Sequence, residues 1–166
     1  MSHRASRPVL AVAATLVAGA ALLAAAPRSS ARTAPSTLRA AVVDTVLTAS
    51  LSGKAEPGNT GDTNASGSAT VTVEPSKDRV CYTVTETGLA DVTGAHIHHA
   101  AEGKDGPPVV MLDAPTSGSS EGCAAATASI MKEIVANPAD FYVNVHDKAH
   151  PAGAIRGQLM AKGMGM

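Results

Sequence analysis

The chain has 166 residues, 45% of them apolar, with no Trp, one Phe and two Tyr, so a core must be built from Ala, Val, Ile, Leu and Met. That length suits one domain of ordinary size rather than two. Thirteen basic residues stand against 14 acidic ones, for a formal charge of −1, and no two Lys or Arg are adjacent; without a basic stripe or an aromatic stacking surface, nucleic-acid partners are excluded.

Arg4 and Arg7 precede an apolar run from Val9 to Ala26 that is relieved only by Thr15 and Gly19, and Ser29-Ser30-Ala31 follows with small residues. This pattern predicts a cleaved signal peptide over 1–31 and an extracytoplasmic, secreted product. The same run just reaches membrane-spanning length, but its alanines insert weakly and the small-residue exit favours cleavage, so no membrane partner is expected of the mature chain. The two arginines are separated, and the twin-arginine route is not indicated. Residues 1–31 carry three arginines and no acid, so 10 basic and 14 acidic residues remain in a mildly acidic exported chain.

Residues 32–40 read as a polar linker, and the folded domain is expected over 41–161. From Val42, Val43, Thr45, Leu47, Ala49 and Leu51 alternate with Asp44, Thr48 and Ser50, a strand pattern that ends at Gly53. A turn-rich loop over 54–64 leads to a second strand through Ala69, Val71 and Val73. Pro75 to Asp78 is a turn, and Val80, Tyr82 and Val84 mark a third strand. Further strands are expected over Ala95–Ala100 and Val109–Leu112, with Ser/Gly-rich loop over 114–122. The one helical signal is Ser129 to Asn137, capped by Ser129, with Ile130, Met131, Ile134 and Val135 as its apolar stripe. Phe141–His146 and Ala154–Met160 close the domain as two strands around Pro151-Ala152-Gly153, and a disordered tail is expected over 162–166. The reading is all-β: an antiparallel Greek-key-like β-sandwich or flattened barrel of about seven strands with one short helix.

Cys81 and Cys123 form an even pair in an oxidising compartment and are expected to make one disulfide, worth roughly 3–4 kcal/mol in the loop-entropy model. A metal-ligand reading of the pair lacks any CxxC spacing. Five of six histidines fall in two short segments. His96 and His98 share a strand face with Ile97 opposite, while Tyr142, Asn144 and His146 share a face opposite Phe141, Val143 and Val145. With the apolar set inward, three imidazoles face outward and can converge on one copper or zinc ion, at affinities expected to weaken as pH falls through about 6.5. The alternative is that these imidazoles bond to loop backbone and fix turns. His99 faces the other way and His150 lies in a turn, so both are weaker ligands. Asn144 and Arg156 are expected in structural polar roles, Arg156 bonding loop carbonyls or an acid such as Asp147. Glu102, Asp105 and Asp113 read as solvated loop acids. There is no GxSxG element and no free cysteine, so nucleophilic catalysis has no carrier.

Gly67-Ser68-Ala69 ahead of a strand, Val80-Cys81-Tyr82 and Ala95-His96-Ile97-His98 together resemble the CHRD domain, the module first described in chordin. The closing run resembles it most closely: Phe141-Tyr142-Val143-Asn144-Val145-His146, continuing to Pro151-Ala152-Gly153-Ala154-Ile155-Arg156-Gly157-Gln158-Leu159. The resemblance spans about residues 45–160, with one departure at Ala100, which follows His99 where the family carries glycine. It implies a secreted all-β domain of the kind that often stands alone in bacterial exported proteins, with no established enzymatic activity. In chordin such modules belong to an extracellular antagonist of growth factors, so the partner implied is an extracellular ligand or protein. The His-x-His strand, the disulfide and Arg156 are also similar to Cu/Zn superoxide dismutase. That enzyme uses more histidines, one of them bridging two metals, and no further histidine lies between His99 and His146 to supply them. The expected function is therefore a non-catalytic binding module with a histidine metal site. A mononuclear copper or zinc enzyme and a purely structural envelope or matrix protein are the alternatives.

Overall fold

The alternation read from the sequence becomes nine strands among the described residues. A computed structural model describes residues 43–163; the expected signal peptide, the linker and tail residues 164–166 lie outside the described residues. In chain order the elements are β1 (Thr45–Ser52), β2 (Ser66–Glu74), β3 (Arg79–Thr87), β4 (Val92–His99), β5 (Pro108–Leu112), β6 (Ser119–Ala125), α1 (Ala128–Ala136), β7 (Phe141–Asp147), β8 (Ile155–Gln158) and β9 (Met160–Ala161). Leu47, Ala49 and Leu51 of β1, Ala69, Val71 and Val73 of β2, and Val80, Tyr82 and Val84 of β3 are all buried. Register keeps them together: Leu47 pairs with Val71, and Val71 with Tyr82. A one-residue slip would turn every one of these side chains to water, at roughly 1.5–3 kcal/mol each for the larger ones.

Every pairing is antiparallel, in the order β5-β4-β7-β8-β1-β2-β3-β6, with β9 added beside β1. The terminal strands β5 and β6 approach each other and nearly close the sheet into a barrel. Asp113, just after β5, makes that seam: Tyr82 Oη donates to Asp113 Oδ2 at 2.9 Å and accepts from the Asp113 N–H at 2.8 Å. Ser120 Oγ donates to Asp113 O at 2.7 Å. Read around the barrel the strands run 1-2-3-6-5-4-7-8, so the β3–β4 and β6–β7 connections cross between distant positions in Greek-key fashion.

Several elements differ from the expectation. Ser119–Ala125 is a strand where most of that stretch was expected to be loop; Ser, Gly and Ala give it little β propensity, and pairing with β3 along its whole length supplies what propensity does not. The closing strand divides at Leu159, whose side chain enters the core while its N–H donates to Phe141 O. Gly157 is required within β8, because any Cβ there would collide with the Ser50 backbone carbonyl. Helix α1 is capped by Thr127, whose Oγ1 accepts from the Ile130 N–H at 3.3 Å, and not by Ser129, whose hydroxyl donates to Glu133. Its buried side chains are Met131 and Ile134, while Val135 is exposed. After Ala100 the chain turns three residues later than the glycine expected by resemblance, at Gly103, which takes a φ of 72°.

Candidate metal centre

The two strands that carry the histidines are neighbours, with His96 opposite Asn144, His98 opposite Tyr142 and Gly94 opposite His146. Ile97, Phe141, Val143 and Val145 point into the core, so His96, His98, Tyr142, Asn144 and His146 share the other face. That face was expected to be solvent-facing, and the structure corrects this. The loop 100–107 and the turn 148–154 fold over it, leaving His98 8% and His146 9% exposed, with His96 at the rim. Every residue of β7 is consequently buried on both faces.

Arg156 holds the covering loops down. At 3% exposure it reaches Glu56 Oε2 through Nε at 2.6 Å, Lys104 O through Nη1 at 3.0 Å and Asp105 Oδ1 through Nη2 at 2.7 Å. The expectation of a loop carbonyl and an acid holds in kind, but the acids are Glu56 and Asp105 rather than Asp147, and Asp105 is not simply solvated. The guanidinium also lies 4.3 Å from the centre of the Tyr142 ring, which stacks on His98 at 4.9 Å. Burial pushes the Glu56 carboxyl above the usual range, and the bonds to Arg156 pull it back only in part. An acid in a turn-rich loop carries no sequence signal for this role; Glu56 is named by the tertiary structure alone.

One nitrogen from each of His96, His98 and His146 lies within 4.8 Å of the others. His98 Nδ1 sits 2.8 Å from Gly106 O, and His146 Nδ1 sits 3.2 Å from Pro151 O. A carbonyl only accepts, so both Nδ1 atoms carry the proton and both Nε2 atoms hold a lone pair. His146 Nε2 accepts from His96 Nδ1 at 3.2 Å, whereas His98 Nε2 is buried with no protein partner. Burial lowers all three pKa values. For His96 the charge of His98 adds to it, and for His98 the Gly106 bond opposes it while Arg156 reinforces it. His146 is pushed down to about 4 by burial and then by His96, against the Pro151 bond. Neutral imidazoles whose nitrogens gather this closely are what a Cu(II) or Zn(II) ion takes as ligands, once the proton that His96 Nδ1 gives to His146 Nε2 moves to the far nitrogen of His96 or is lost, and carbonyl-oriented Nδ1 atoms are the usual outer support.

The two weaker histidines do not join this group. His99 stacks on Phe141 with ring centres 4.4 Å apart, and His150 turns to Asp147, with Nδ1 3.0 Å from Asp147 Oδ1. Asp62, Asp147 and His150 make a separate cluster within 4.8 Å that sequence reading did not find, because Asp62 lies far off in the loop after β1. Asp113 serves the barrel seam. Cys81 and Cys123 face each other across β3 and β6 and are disulfide-bonded, and there is no free cysteine.

A nearly closed antiparallel Greek-key barrel, with a His-x-His strand beside a strand ending in His, is a small all-β domain bearing a candidate histidine metal centre. The CHRD domain model matches residues 47–159, and the chain belongs to that family. No curated protein and no solved structure matches it.

Proposed function

We propose that this is an exported CHRD-type binding module, non-catalytic, that holds a divalent copper or zinc ion on His96, His98 and His146 and meets an extracellular ligand or protein through that edge. The observation that carries the reading is the convergence of the three imidazoles with two Nδ1 protons already committed to backbone carbonyls. Imidazoles serving only to fix loops need no second converging nitrogen, and the lone pair of buried His98 Nε2 has no other use in the fold. The order of divalent-ion affinities favours copper where both metals are free. Export over a signal peptide at 1–31, a linker over 32–40 and a domain over 41–161 are supported by the apolar leader and the disulfide.

Titration of the natively exported protein with Cu(II) and Zn(II), repeated on His98→Ala and His146→Ala, tests this. One equivalent should bind to wild type, and either variant should weaken it by more than the roughly 10–100-fold that losing a mere supporting bond costs. Equal affinity in all three proteins would make these residues structural hydrogen-bonders. Metal-dependent turnover would replace the non-catalytic reading with the mononuclear enzyme.

A further inference from the structure

Among the described residues, three side-chain atoms are buried with no hydrogen-bond partner in the protein: His98 Nε2, Asn144 Oδ1 and Glu56 Oε1. Each is an acceptor. The metal accounts for the first and leaves Asn144 unexplained. Asn144 is 1% exposed, stands between His96 on β4 and Arg156 on β8, and precedes His146 by two residues on the same face. Side chains so paired have Cβ atoms about 5 Å apart, within reach of an ion held by His96 and His146.

The donor end of its amide lies toward Gly153. Gly153, at a φ of 150°, packs so closely that a Cβ there would lie 2.5 Å from Glu56 Oε1 and 2.7 Å from Asn144 Nδ2. The donor end of the amide and the unpaired carboxylate oxygen therefore flank the same glycine. Nδ2 is the end of the amide nearer Gly153, and Oδ1, on the other branch of the planar amide, lies farther from it.

Three imidazoles leave a copper or zinc ion at least one open position. We propose that Asn144 Oδ1 faces the ligand in that position and makes it selective for ligands that carry a proton, water foremost, over aprotic anions such as azide. The inference rests on the His96–His98–His146 metal reading. A bound water donates to Oδ1; azide brings only lone pairs and negative charge, and displacing the water leaves Oδ1 unpaired again. Asn144 is a positioning residue in this scheme, not a ligand.

The test is azide titration of the Cu(II)-loaded full chain, read by the azide-to-copper charge-transfer band, in wild type, Asn144→Val and Asn144→Thr. Val removes the acceptor and should tighten azide by about tenfold or more, the size expected for one hydrogen bond to an ion's ligand. Thr has nearly the shape of Val but keeps an accepting hydroxyl, and should stay near wild type; a merely structural role would move both alike. In wild type, oxygen-17 water should broaden the copper electron-paramagnetic resonance, and this arm decides should the variants not fold. Azide affinities within about twofold in wild type and Asn144→Val, or no broadening in wild type, would overturn the proposal. Copper binding unchanged in His98→Ala would instead show the metal reading itself to be wrong, and this one with it.

Discussion

His146 and Arg156 each concentrate a stability term in one side chain. The folded-state pKa of His146 is depressed to about 4, whereas the unfolded imidazole titrates near 6.5. Below pH 6.5 the unfolded chain takes up a proton that the folded chain refuses, so the stability linked to His146 is full above 6.5 and is lost as pH falls towards 4. The loss is on the order of 3 kcal/mol. A urea-midpoint profile should fall across that window, and His146→Gln should flatten it. For the proposed metal site the same depression would move the pH limit on affinity below the 6.5 that unperturbed histidines would set, because the imidazoles are already neutral there. Removing Arg156 acts differently: it strands the buried Glu56 carboxylate and frees Lys104 O and Asp105. Arg156→Ala should cost about 3 kcal/mol or more by denaturation, and Arg156→Lys should recover little, since one ammonium cannot span three acceptors on two loops. An unchanged midpoint in Arg156→Ala would contradict the loop-clamping role.

At the scale of elements, β6 is the strand whose own sequence supports it least. Its alternation is shallow, with no residue of Ser119–Ala125 fully buried, and among the described residues β3 is its only ladder partner. The Cys81–Cys123 bond joins residues directly opposite in that ladder, 42 positions apart in sequence. Opening it restores the entropy of a long loop, about 4 kcal/mol in the chain model, and releases the edge that β6 forms. Reduction should therefore lower the melting temperature, and hydrogen exchange should rise first in β6 and in its partner amides on β3. Two alkylatable thiols in exported protein under native conditions would refute the crosslink. At α1, loss of the Thr127 cap in Thr127→Ala should cost about 1 kcal/mol by denaturation, with Ser129→Ala near neutral.

For the whole molecule, the seam at Asp113 decides how nearly the barrel closes. Tyr82→Phe deletes the hydroxyl that both donates to and accepts from Asp113, leaving its N–H without that partner. A loss of about 1–2 kcal/mol is expected, with faster exchange at β5 and β6 as its local signature. The proposed metal would act on the fold globally as well. An ion that binds only the folded chain adds stability by mass action, about 4 kcal/mol at a thousandfold excess over its dissociation constant. Copper should raise the melting temperature of wild type and leave that of His98→Ala unmoved.

Alternation of small and β-branched apolar residues in β1, β2, β3 and β7 was enough to specify an all-β antiparallel domain, because a period of two commits each strand to one core-facing side. The same rule put His96, His98 and His146 on the face away from Ile97 and Val145, and an even pair of cysteines behind an expected signal peptide pointed to their bond. The tertiary structure alone decided the rest. Ser119–Ala125 is a strand only because β3 offers it a ladder. The histidine face is buried only because residues 100–107 and 148–154, remote from each other in sequence, fold over it. Arg156 pairs with Glu56 across a hundred residues, and the amide nitrogen of Asn144 lies beside Gly153. Local pattern fixes which way a side chain points. What it meets there depends on contacts between distant segments, which no periodicity encodes.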